Sequence, residues 1–113
     1  MPDRAILNLW KRDLGKVPVE VWARTDVDTL ILADNGLTEI SDRIGQMSSL
    51  RTLDLGRNRL TSLPTSIGDL VGLSDFLYLH DHQLTTLPDS IRQLTKLRYL
   101  NVSQNALSEF PVQ

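Results

Sequence analysis

The 113-residue chain contains no cysteine, which excludes disulfides, thiolate metal sites and thiol nucleophiles. Histidine occurs twice, as His80 and His82, both in one short stretch. A Ser/His/Asp triad would have to be built around that single turn, and no serine stands out as its partner. No apolar run approaches the roughly 18 residues that a membrane helix needs, and Met1 to Arg12 lacks the apolar core of a signal peptide. Positive charge is scarce as well. Twelve Lys and Arg stand against 14 Asp and Glu, a net charge of −2, with a pI of about 5.5. Without a basic stripe to neutralise phosphates, nucleic acid is not an expected partner, and neither is a membrane. Gly15-Lys16 lacks the rest of a phosphate-binding loop. Asp26-Val27-Asp28 lacks the further oxygen ligands and the glycine of a calcium loop. No catalytic residue, cofactor or metal centre is predicted.

What the chain does contain is a repeat. Leu50-Arg51-Thr52-Leu53-Asp54-Leu55-Gly56-Arg57-Asn58-Arg59-Leu60 returns as Leu97-Arg98-Tyr99-Leu100-Asn101-Val102-Ser103-Gln104-Asn105-Ala106-Leu107. Looser copies begin at Val27 and Arg4. The step is 23 residues, apart from one step of 24 between Leu73 and Leu97. A fixed period of this length implies a solenoid, in which each unit buries its apolar face only against its neighbours. The units are approximately 4–26, 27–49, 50–72, 73–96 and an incomplete 97–113, within one domain spanning 1–113.

The unit reads Leu-x-x-Leu-x-Leu-x-x-Asn-x-Leu, then x-x-Leu-Pro-x-x-Ile-x-x-Leu. It resembles a leucine-rich repeat, and the resemblance covers nearly the whole chain. The Leu-Pro-x-x-Ile variant is similar to repeats of bacterial intracellular proteins, of plant Ras-group-related repeat proteins and of Roco GTPases. The resemblance implies an α/β solenoid, a right-handed superhelix with a short parallel sheet on its concave face and 3₁₀ or short helical turns on its convex face. Extracellular members commonly carry cysteine-paired caps, so the lack of cysteine implies a cytoplasmic location. The sequon Asn101-Val102-Ser103 is then a chance occurrence.

Within each unit, leucines alternate at period 2, as expected of a short strand with one buried face. The inward pairs are Leu7/Leu9, Leu30/Leu32, Leu53/Leu55, Leu77/Leu79 and Leu100/Val102. Asn35, Asn58 and Asn105 occupy one position just past the strand, where an amide with two donors and an acceptor can satisfy turning backbone in adjacent units. His82 takes that position in the fourth unit as a weaker rung, and Arg12 takes it in the first. Pro18, Pro64, Pro88 and Pro111 open the return segments, with Ser41 in their place once. Asp28, Arg51, Asp75 and Arg98 form one column of alternating charge, and Lys11, Asp34, Arg57 and Asp81 another. The extra residue of the long step lies within Leu73 to Leu77, where a bulge would re-aim Phe76.

The outward strand positions form three columns across the units: Ile6, Thr29, Thr52, Phe76, Tyr99; Asn8, Ile31, Asp54, Tyr78, Asn101; and Trp10, Ala33, Gly56, His80, Ser103. Phe76, Tyr78 and Tyr99 should therefore lie together, with His80 beside them. Aromatic side chains on a rigid exposed sheet are typical recognition anchors. The competing reading is that they stiffen the sheet by packing on one another. The partner-binding set is Phe76, Tyr78, Tyr99, His80, Ile31, Asp54 and Trp10. His80-Asp81-His82 has metal-ligand residue types but no further ligand, and reads as structure.

The expected function is a protein-interaction module binding a protein partner through its concave face, without catalysis. The alternative is a regulatory or substrate-selecting segment of a larger signalling enzyme, a GTPase, kinase or ubiquitin-ligase effector. The fifth unit ends before its return segment is complete, while the polar first unit partly caps the other end. A homodimer through the C-terminal edge is expected on that ground.

Overall fold

The computed structural model describes residues 5–80 and 83–105. Five strands, β1 (Ala5–Asn8), β2 (Val27–Ile31), β3 (Thr52–Asp54), β4 (Phe76–Tyr78) and β5 (Tyr99–Asn101), pair in parallel and in chain order. Each of the first four strands is followed by a return segment on the opposite side of the solenoid. These are η1 (Val19–Ala23), η2 (Asp42–Gln46), η3 (Thr65–Asp69) and η4 (Asp89–Gln93), all 3₁₀ in geometry. Five residues are too few for a stable α-helix, and an i→i+3 bond closes the turn sooner. The amide N–H groups of Val21, Ile44, Ile67 and Ile91 donate to the carbonyls of Pro18, Ser41, Pro64 and Pro88 at 3.0–3.1 Å. Proline supplies the extended entry residue at three of these starts. Where Ser41 replaces it, the hydroxyl oxygen accepts from the Arg43 N–H instead.

The core is one stripe running through every unit. Leu30, Leu53 and Leu77 face it from the sheet, Ile44 and Ile67 from the return segments, and all are fully buried. Ile44 and Ile67 are each followed by a glycine, and the space beside that glycine is small. A Cβ on Gly68 would lie 2.5 Å from the Ser90 carbonyl oxygen, and one on Gly45 would lie 3.1 Å from that of Ser66. The two serines also stitch the convex side together. Ser66 Oγ donates to the Asp42 carbonyl at 2.7 Å, and Ser90 Oγ donates to that of Thr65 at 2.6 Å. In the first unit Trp22 stands at the glycine position and is buried. Its bulk leaves a recess of about 180 Å³ between the first two units, lined by Val17, Val19, Trp22, Glu39 and Arg43 among others. At the open face of the first unit, Leu7, Leu9 and Val21 border a second recess, of about 280 Å³, with Glu20 and Arg24 at its rim.

The long step does not displace Phe76. Phe76 pairs in register with Thr52 on one side and Tyr99 on the other. The extra residue is absorbed two positions earlier, at Ser74. Asp75 N–H donates to the Arg51 carbonyl, as Arg51 N–H donates to that of Asp28. The carbonyls of Ser74 and Asp75 then accept from Arg98 and Tyr99. A register shift lies between β1 and β2: Ala5 opposes Val27 whereas Ile6 opposes Thr29. Such bulges are commonest where an edge strand is involved, as β1 is here.

Candidate functional site

β1, β2, β3 and β5 each end in a sharp inward bend. Lys11, Asp34, Arg57 and Gln104 all adopt φ between 52° and 60°, and each directly precedes the ladder position of its unit. This left-handed residue reverses the chain so that the following side chain points into the stack. Non-glycine residues pay roughly 1–2 kcal/mol for that conformation, and the ladder bonds hold them in it. Asn58 Oδ1 accepts from Asn35 N–H at 2.8 Å and Leu37 N–H at 3.0 Å. Its Nδ2 donates to the carbonyls of Leu32, Leu55 and Gly56. Asn35 repeats the pattern, accepting from Arg12 and Leu14. Asn105 accepts from Leu84 N–H and donates to the carbonyls of Leu79, Val102 and Ser103. The fourth rung, His82, lies outside the described residues, as does Asp81, so the His80-Asp81-His82 cluster has no described geometry.

The register brings the three concave columns into line. Ile6, Thr29, Thr52, Phe76 and Tyr99 are successive partners, as are Asn8, Ile31, Asp54, Tyr78 and Asn101. Phe76 and Tyr78 stack with centroids 5.8 Å apart. Tyr99 meets both edge-on, at 6.1 Å from Phe76 and 5.9 Å from Tyr78. The His80 imidazole stands perpendicular to Tyr78 at 6.0 Å. Four rings therefore form one continuous surface, with Phe76 41% and Tyr99 48% exposed.

His80 owes its position to Gly56. A Cβ at residue 56 would lie 2.3 Å from the imidazole Cε1. The ring thus folds down over the strand where no side chain stands, and its Nδ1 is buried without a hydrogen-bond partner.

Trp10 and Ile31 are not part of this cluster. They sit three and two strands away, roughly 14 Å and 10 Å at the usual interstrand spacing. Trp10 is exposed beside the ammonium of Lys11, 5.8 Å from the ring centroid. The concave face therefore has apolar ends, Ile6, Trp10 and Ile31 at one and the four rings at the other. Thr29, Thr52, Ala33, Gly56 and Asp54 lie between them.

The second column holds a feature not foreseen from the repeat. Asp54 Oδ1 accepts from Gly56 N–H at 3.0 Å, and Asn8 and Asn101 do the same with Trp10 and Ser103. These Asx turns fasten the strand end where the residue is Asn or Asp. The recurrence of Asn or Asp three residues before the left-handed residue was the available signal. The charged columns are partly neutralised across repeats: Arg51 lies 3.8 Å from Asp75 and 3.4 Å from the Ser74 hydroxyl. Among the described residues there is no cluster of three metal-ligating side chains and no helix long and apolar enough to cross a membrane.

Solved structures of leucine-rich repeat proteins share this architecture. The structure of LIC12759, a leucine-rich repeat protein of Leptospira interrogans, superposes with a TM-score of 0.85 over 96% of this chain at 30% identity. The leucine-rich repeat domain of the type III effector XopL superposes at 0.81 over 98%, with 26% identity. A plant ice-binding protein, 21% identical with a TM-score of 0.57 over 93% of the chain, shares the fold alone. The chain spans 33%, 40% and 48% of these three proteins respectively. Residues 25–81 match the leucine rich repeat family model. That stretch holds β2, β3 and β4 with their inward leucines and two rungs of the ladder, so the chain belongs to the leucine-rich repeat family.

Proposed function

We propose that this domain is a non-catalytic protein-interaction module whose partner seats on the concave face, centred on Phe76, Tyr78 and Tyr99. Leucine-rich repeat domains generally bind proteins, and the observation that carries the choice of face is the four-ring surface on a rigid sheet. Exposed contiguous apolar patches mark interaction sites more often than they occur by chance. Aromatic anchors held by a stiff scaffold lose little entropy on binding. The rings also pack on one another, but that role does not require them to stand open to solvent.

The test is a comparison of captured proteins between wild type and Tyr78→Ala/Tyr99→Ala, followed by titration of the captured partner. Removing two anchors is expected to weaken binding by at least about 2 kcal/mol, roughly thirtyfold in Kd. Circular dichroism should show the repeat fold retained. A double variant that binds its partner with unchanged Kd would leave the cluster a structural feature only. Trp10→Ala, at the far end of the face, serves as the comparison variant.

A second reading has one observation behind it. The chain spans only about a third to two fifths of the two leucine-rich repeat proteins named above, and one of those is a type III effector. The repeats would then select or restrain a substrate for a larger signalling protein. A cytoplasmic location rests on the cysteine-free composition.

A further inference from the structure

Tyr78 has rings on three sides: Phe76 before it on the strand, His80 after it, and Tyr99 across the gap to β5. The fourth side faces β3, where its register partner is Asp54. The neighbours of Asp54 along β3 are Thr52 and Gly56, and no side chain rises from Gly56. The His80 imidazole lies over that glycine and closes one end of the space. Register thus sets the Tyr78 ring and the Asp54 carboxylate side by side on the concave face, with the His80 imidazole at one end of the space between them.

That carboxylate has no basic partner among the described residues, in contrast to Asp26 and Asp75, which face Arg24 and Arg51. Arg51, three positions earlier, is turned toward Asp75 and Ser74. One oxygen of Asp54 holds the Gly56 N–H, which fixes the group in place without neutralising it. On β2 its register partner is the apolar Ile31.

We propose that the partner places a cationic side chain, best an arginine, in the space between Tyr78 and Asp54; this rests on the concave-face reading above. A planar guanidinium can stack on the phenol ring while its N–H groups donate to the carboxylate, and an ammonium can do only one of these well. An aromatic ring beside a carboxylate that has no basic partner among the described residues attracts such a group on both counts, and interfaces match potentials of opposite sign. A partner anchored by a carboxylate would be repelled from the same place.

The experiment uses acetyl-Gly-Arg-Gly-amide and acetyl-Gly-Glu-Gly-amide as probes, titrated into the isotopically labelled protein at low salt and followed by NMR. The arginine peptide should give saturable shifts at Tyr78, Asp54 and Gly56, with a Kd in the millimolar range expected of a single small anchor. The glutamate peptide should give none. Asp54→Asn should weaken the arginine peptide about tenfold. This substitution preserves the Asx turn, because Asn8 and Asn101 already make that turn in their own units; melting should be unchanged. Absence of saturable shifts at millimolar peptide, equal shifts with the glutamate peptide, or equal affinity in Asp54→Asn would each overturn the proposal. Once the partner is in hand the two readings separate. Loss of binding in Tyr78→Ala/Tyr99→Ala with full binding in Asp54→Asn keeps the interface and removes the cationic anchor.

Discussion

Replacing Asn58 by Ala probes what holds the concave face in shape. The substitution removes one acceptor and both side-chain donors from a buried position. The carbonyls are the smaller concern. Leu32 keeps the Asn35 amide as a donor, and Gly56 keeps the Asp34 N–H. The N–H groups of Asn35 and Leu37 have no such reserve, since Asn58 Oδ1 is the acceptor that each one uses. Each orphaned buried group costs about 1–3 kcal/mol. Water entering the vacated space recovers part of this, so a net loss of about 3 kcal/mol is expected. An unfolding entropy of about 2.1 cal/mol/K per residue turns that into a Tm drop of roughly 12 °C. Asn105 provides the internal comparison. Its rung is only half buried, and it accepts from Leu84 alone among the described residues, at 3.2 Å. Water can replace it, and Asn105→Ala should cost about 1 kcal/mol, near 4 °C. Urea and thermal melts followed by circular dichroism measure both. Equal losses for the two variants, or a loss below about 1 kcal/mol at Asn58, would show that the ladder does not carry the load assigned to it here.

Two further outcomes are expected. Gly68→Ala should destabilise by about 1–3 kcal/mol in chemical denaturation, because its Cβ meets the Ser90 backbone; Gly72→Ala, whose nearest neighbours lie 3.7 Å away, should fall within about 0.5 kcal/mol of wild type. The Asp26 carboxyl is held below its ordinary range, first by the hydrogen bonds from Arg24 and then by its own backbone. Its contribution to stability is therefore present above the unfolded-state pKa and fades as pH falls through the depressed one; its NMR titration midpoint should rise in Arg24→Gln, and an unchanged midpoint would refute the pairing.

The period alone determined most of the architecture. Leucines at i and i+2, recurring every 23 residues, can bury only one face, and only by stacking in register. The three concave columns and the adjacency of Phe76, Tyr78 and Tyr99 follow from counting along the chain. The positions of Asn35, Asn58 and Asn105 follow in the same way, because turning backbone leaves amides that recur at the same interval.

Tertiary structure decided what depends on which atoms meet across repeats. The 24-residue step admits several positions for the extra residue. Keeping Leu77 opposite Leu53 in the core put it at Ser74 and left Phe76 in its column. Gly56 looks like any outward strand residue until the imidazole of His80 is found resting on it. Asp54 resembles the other outward acids, yet Arg51 is turned to Asp75, and Asp54 stands beside Tyr78 with no basic partner among the described residues. Spacing in a repeat fixes the column in which a side chain stands. Its rotamer, its partners and the space left beside it are set by neighbours 23 or 24 residues away, and those contacts form only once the units have stacked.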